Sequence, residues 1–355
     1  MNRQAEKLWV LLQDANLVKG EAPETPTIDS PWYVKIILAF SGWLAAVFLV
    51  GFIAVGLAVI VENSAASIIV GGLMIAAAYK LLQQPKNEFF EHLALAASLA
   101  GQCLFIWGVF ESVRHHHTIW FYVAMLQLPL AIIMPNYVHR VFSAFFAAFS
   151  FSIGLAEAGI PYVFTGLMLL LVSWVWLNEF KYPRHIKKLH AIGYGLVLAL
   201  IQIKGSALFS HGGMGWYSSR HQGEFSIQPW MGEVLAGAAL VYVVWNLLQR
   251  HKHYLSDRLS IIVLVTSLVL SLVSVEANGI TVGLVIVILG FAAGNRILLG
   301  LGVVSLLFYI SSYYYLLDHT LLEKSQTLFF IGLALLIIRW VLLRVTKNSE
   351  ATDNG

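Results

Sequence analysis

The sequence predicts an all-α fold: a polytopic bundle of about twelve transmembrane helices (roughly ten to twelve), with both termini cytoplasmic. Three observations predict it. First, apolar residues make up 59% of the chain and charged residues only 12%, where a soluble domain carries about 25% charged residues. Such a chain cannot clothe its own surface in polar groups, so lipid must do it. Second, the apolar runs are mostly 16–26 residues long, not the alternating segments of about ten residues that build a barrel. In hydrocarbon every backbone N–H and C=O needs an internal partner, and long runs answer that need as helices. Third, the cations are sorted. With the N-terminus inside, all of the 22 Lys and Arg residues except Arg114, Lys204, Arg220 and Lys324 fall on the cytoplasmic side, and loop bias of this kind sets orientation. The net charge of +3 is therefore an orientation signal. No concentrated basic groove suggests nucleic acid.

Taken in order, residues 1–30 form a cytoplasmic arm. Ala5, Leu8, Trp9, Leu12 and Ala15 recur at helical spacing, which predicts an amphipathic helix over residues 3–17. Such a helix either lies on the inner membrane surface or docks a partner. Gly20–Ser30, with Pro23 and Pro26, is a linker. The arm lacks the short apolar core of a cleaved signal peptide, so the first span is expected to act as an uncleaved insertion signal. Ser30-Pro31-Trp32 opens the transmembrane domain, residues 31–345, with a capping residue, a Pro at the first helical position and an interfacial Trp.

The expected spans are 36–61, 65–82, 93–113, 118–134, 141–156, 160–177, 189–209, 230–248, 259–276, 280–294, 297–316 and 327–343. The shortest, 280–294, reaches only about 22 Å against a hydrocarbon core of about 30 Å. It either begins earlier, near Asn278, or is re-entrant. Gln127 and Pro129 sit inside the fourth span, where Pro kinks a helix. The lone cysteine, Cys103, permits no intramolecular disulfide and is expected as a small core residue. Residues 346–355 are polar and predict a disordered cytoplasmic tail.

Most connections are short. The exception is the outer loop 205–229, rich in Gly and carrying Trp216, Tyr217, Arg220, His221 and Glu224. A loop of that length is a binding lid or an interfacial segment resting on headgroups. Around it lie the sharpest polar candidates. Lys204 and Glu233 are charges near the outer ends of the seventh and eighth spans. Unpaired at mid-membrane, each would cost about 2.5–3.5 kcal/mol, so they form an ion pair, snorkel outward, or build a substrate or proton site. Several spans also end outside on an acid: Glu62, Glu111, Glu157, Glu276 and Asp318. These form an acidic vestibule or simply supply polar hairpin turns. Glu62-Asn-Ser, Glu157-Ala-Gly and Glu276-Ala-Asn-Gly open similar hairpins and hint at three four-helix repeats.

Arg114-His115-His116-His117 lacks the spacing of a helical histidine pair for zinc, so no metal site is assigned. No nucleophile motif, phosphate-binding glycine loop or cofactor fingerprint appears, and no catalytic residue is assigned.

The most distinctive strings are Gly294-Asn295-Arg296, Tyr313-Tyr314-Tyr315-Leu316-Leu317 and Thr320-Leu321-Leu322-Glu323-Lys324-Ser325, with Pro31-Trp32-Tyr33-Val34 and Gly42-Trp43 near the start. Together they resemble a bacterial inner-membrane family known as domain of unknown function 4401, itself similar to the uncharacterised family numbered 2157. The resemblance runs from about Trp9 to Arg344. It implies a polytopic inner-membrane protein with no known activity, cofactor or catalytic residues. It also implies a partner, a small membrane-anchored protein with a Gly-Asp-Tyr motif encoded nearby. Thr320-x-x-Glu323 reads independently as a capping box for the last helix. The expected function is a non-enzymatic component of an envelope membrane complex; the alternative is a secondary transporter or ion-conducting protein with an acidic outer vestibule.

Overall fold

A computed structural model describes residues 61–83, 88–113, 118–160, 163–209, 229–250, 258–273 and 279–316, with isolated positions before and after them. Every regular element among the described residues is helical. In chain order these are α1 (Ser64–Gln83), α2 (Glu88–Ser112), α3 (Ile119–Ile133), α4 (Tyr137–Glu157) and α5 (Val163–Leu177). They continue as α6 (Ile186–Phe209), α7 (Pro229–Arg250), α8 (Arg258–Val273), α9 (Ile280–Ala292) and α10 (Arg296–Leu316). Each of the ten expected spans from 65–82 to 297–316 holds one of them. The expected spans 36–61 and 327–343 lie mostly outside the described residues; the positions described there are helical, as are Trp9 and residues 11–13.

Among the described residues five helices are long and apolar enough to cross a membrane: Ser64–Gln83, Phe90–Ser112, Tyr137–Glu157, Pro183–Ala207 and Met231–Arg250. Two shorter apolar helices lie between them and three more follow Arg250. Their outward faces are greasy, with Met125 75% and Phe291 81% exposed, a surface that suits lipid and not water.

Local sequence explains where the helices start and stop. Asn63 caps α1, its Oδ1 accepting the Ala66 N–H at 3.1 Å. Asn136 caps α4, accepting the His139 N–H at 2.9 Å. Asn295 caps α10, its Oδ1 accepting from both Ile297 N and Leu298 N at 3.1 Å. Two of the three acidic hairpin sequences carry a left-handed glycine, Gly159 at φ 84° and Gly279 at φ 93°.

Two cores result. The larger joins α4, α5, α6, α7, α9 and α10 around Leu169, Val172, Leu200, Leu240, Val285 and Ile286, all essentially inaccessible. Short α9 lies inside it. The smaller joins α1, α2 and α3 around Ile75, Ala94, Leu130 and Met134. In the α1–α2 hairpin the backbones nearly touch: a Cβ on Gly71 would lie 2.6 Å from the Gly101 carbonyl oxygen. Small residues permit this approach in membrane helices. Cys103 departs from expectation. It is exposed on the outside of α2 rather than packed in a core, because the buried face of α2 is taken by Ala94, Ser98 and Gln102.

Neighbouring helices alternate in direction, so the starts of α4, α6 and α10 share one end of the bundle. There Tyr194 of α6 meets Asn295, its hydroxyl donating to Oδ1 at 2.8 Å. The end of α6 and the starts of α7 and α9 share the other end, where Gly279 abuts the Tyr309 ring.

Candidate functional site

Among the described residues three buried polar centres lie between these helices. The first sits toward the end opposite the basic turns. Lys204, in the last two turns of α6, and Glu233, one turn into α7, are 7% and 3% exposed. Lys204 Nζ donates to Glu233 Oε1. Glu233 Oε2 is buried without a hydrogen-bond partner. Fully buried Tyr309 of α10 stands beside α6, its hydroxyl donating to the Ile201 carbonyl at 3.2 Å. Two charges taken out of water attract strongly, but their desolvation offsets much of the gain. Such a pair fixes the register of two helices, and its free carboxylate oxygen remains an acceptor for a cation or proton.

The second centre lies at the basic end. Glu179, in a short 3₁₀ turn after α5, is 2% exposed, and its Oε2 meets His190 Nε2 at 2.7 Å. Trp176 stacks on the His190 ring with centroids 5.1 Å apart, and Tyr194 packs edge-on against Trp176. Through Tyr194 and Asn295 the cluster ties α5, α6 and α10 together.

The third centre is a chain of neutral groups between α2, α3 and α4. Gln127 Nε2 donates to Gln102 Oε1 at 2.7 Å. Gln102 Nε2 in turn lies 3.1 Å from His139 Nε2 and 3.2 Å from Ser98 Oγ. Ser98 Oγ is 2.8 Å from His139 Nε2, and Ser143 Oγ is 3.2 Å from His139 Nδ1. Gln102 and Ser98 thus meet one ring nitrogen of His139 and Ser143 meets the other. All five side chains are buried, and Gln127 Oε1 is left without a donor. At the helix ends the chain is prolonged by Asn136, whose Nδ2 donates to Glu91 Oε1 at 2.5 Å.

Of the residues singled out in the sequence, the structure brings Lys204 and Glu233 together. Glu157 stands apart from them, at the end of α4, with Oε1 accepting from Trp120 Nε1 of α3 at 3.2 Å. Arg220, His221, Glu224 and Glu276 lie outside the described residues, as do Arg114, His115–His117, Asp318 and the Thr320–Glu323 capping box. Among the described residues no group of three or more His, Cys, Asp or Glu side chains is arranged to hold a metal ion. The His139 chain escaped sequence reasoning. Gln127 carried the only signal, a polar residue in an apolar span; its partners come from other helices.

Residues 31–345 fit the family described as Domain of unknown function (DUF4401). No curated protein and no solved structure matches the chain.

Proposed function

The chain belongs to the domain of unknown function 4401 family, matched over residues 31–345, and from that premise we propose that it is a non-enzymatic component of an envelope membrane complex. In this reading it sits in a bacterial inner membrane with both termini cytoplasmic. Its partner is a small membrane-anchored protein encoded nearby.

One observation supports this above the others: two pairs of ionisable side chains engage each other at seams between elements. Lys204 pairs with Glu233 between α6 and α7, and His190 with Glu179 between α6 and the turn after α5. Charges used in this way hold helices in a set register. Isolation from native membranes in mild detergent, followed by mass spectrometry, tests the proposal. A second membrane protein at fixed stoichiometry is the expected result. A chain recovered alone, with the neighbouring gene expressed, sinks it.

The transporter reading retains a specific support. Gln127 Oε1 and Glu233 Oε2 are buried acceptors without donors, and intramembrane polar groups of this kind often mark ion or proton paths. Glu233 faces the outer end, where the acidic vestibule would lie. Reconstitution into liposomes with a pH-sensitive dye inside separates the two readings. Proton or cation flux abolished by Glu233→Gln would favour transport; no flux above empty liposomes favours the structural component.

A further inference from the structure

Between α5 and α6 the chain turns at residues 178–185 through two 3₁₀ turns, Glu179–Lys181 and Pro183–His185. So short a connection cannot leave the end of the bundle. It lies where two apolar helices emerge. Phe180 is 67% and Tyr182 48% exposed there. Lys181 and Arg184 are exposed beside them, as are Lys187 and Lys188 on the first turn of α6.

The acid within the turn does not neutralise these cations. Glu179 is turned inward onto His190, and Trp176 stacked on that ring holds it there. Four cations therefore face outward with no ion pair among the described residues. A loop that merely turned in water would have no reason to hold out Phe180 and Tyr182. Aromatic rings and cations side by side at the end of spanning helices match the headgroup layer, where rings sit among glycerol groups and cations meet phosphate. The same end of the bundle offers another donor. Arg140, on the first turn of α4, which packs on α6, is buried, and its Nε has no acceptor.

The structure assigns to this turn a binding platform for anionic phospholipid headgroups of the leaflet at the basic end. Phe180 and Tyr182 seat the turn at the glycerol level, and Lys181, Arg184, Lys187 and Lys188 hold the phosphates. The platform does not depend on whether the protein serves a complex or a transport cycle.

The test is native mass spectrometry of the full chain released from nanodiscs with equal phosphatidylglycerol and phosphatidylcholine. The unaltered chain is expected to retain the anionic lipid preferentially. K187Q/K188Q leaves Lys181 and Arg184 to hold orientation and should lower that preference about 25-fold, at about fivefold per cation. F180S/Y182S keeps every charge and should lower it severalfold. K80Q/R250Q removes cations from other helix ends on the same side and should leave it nearly unchanged. Equal retention of both lipids by the unaltered chain overturns the proposal. So does a K80Q/R250Q loss as large as that of K187Q/K188Q, which would mean a diffuse charge effect. If K187Q/K188Q fails to accumulate in membranes, F180S/Y182S decides alone, and an unchanged preference there refutes the platform.

Discussion

Lys204 and Glu233 share one environment, and neither is tolerable in it alone. Lys204→Met strands the Glu233 carboxylate in a site 3% exposed and is expected to destabilise the protein by about 3–5 kcal/mol. Lys204→Met combined with Glu233→Leu removes both charges and should recover most of that loss, as apolar replacement of buried pairs often does. Thermal unfolding of the detergent-solubilised chain reads the difference. A double variant no more stable than the single one would show that the pair is not the cause. Gln127→Leu makes a milder case: it leaves Gln102 Oε1 without its donor and should cost about 0.6 kcal/mol and no more than about 1.7, the mean and maximum for interhelical hydrogen bonds in a membrane. At this scale the sequence was half legible. Lys204 and Glu233 stood out because charges in apolar runs are rare. Ser98, Gln102 and His139 did not, because their meeting depends on how three helices are rotated about their axes.

That rotation is set by helix elements, and here composition says least. Lipid tails are as apolar as leucine, so the lipid-facing Met125 and the buried Leu130 of α3 look alike in a list. Helix existence and rough limits were legible from run length, since the ten described helices fall on the expected spans. Their facing was not, and Cys103 was misread for this reason. The α1–α2 hairpin shows what decides facing. Gly71 has the backbone of α2 pressed against it, while Gly72, one residue on, has nothing within 4 Å of where a Cβ would stand. Gly71→Val should therefore separate the hairpin at a cost of about 1–3 kcal/mol, and Gly72→Val should be nearly silent. Equal melting temperatures for the two variants would contradict the packing described.

For the whole molecule, the decisive property is the sidedness of its ends. Arg140, the Lys181–Lys188 stretch and Arg296 gather at one end, with Lys204, Glu233 and Gly279 toward the other. The expected orientation makes the first cytoplasmic. Reporter fusions in the 181–188 turn and in the 205–229 loop should then respond in opposite compartments; signals from a single compartment would undo the alternating arrangement. The gathering of these cations at one end was legible from the charge bias, which is a sum over many residues and tolerates error in each. The division into a larger and a smaller core was not legible, since it rests on contacts between helices distant in sequence.

Asn295 belongs to one of the strings that made the sequence distinctive, and its amide oxygen serves three donors. It holds the first turn of α10 through Ile297 and Leu298, and it latches Tyr194 of α6, 101 residues earlier. A ribosome must therefore make some hundred residues after Tyr194 before that hydroxyl meets its acceptor. Until then the basic end of α6 is held by the earlier contacts of His190 with Glu179 and Trp176. Assembly of the larger core is thus completed from the C-terminal side, when α9 and α10 join the helices already packed around α6.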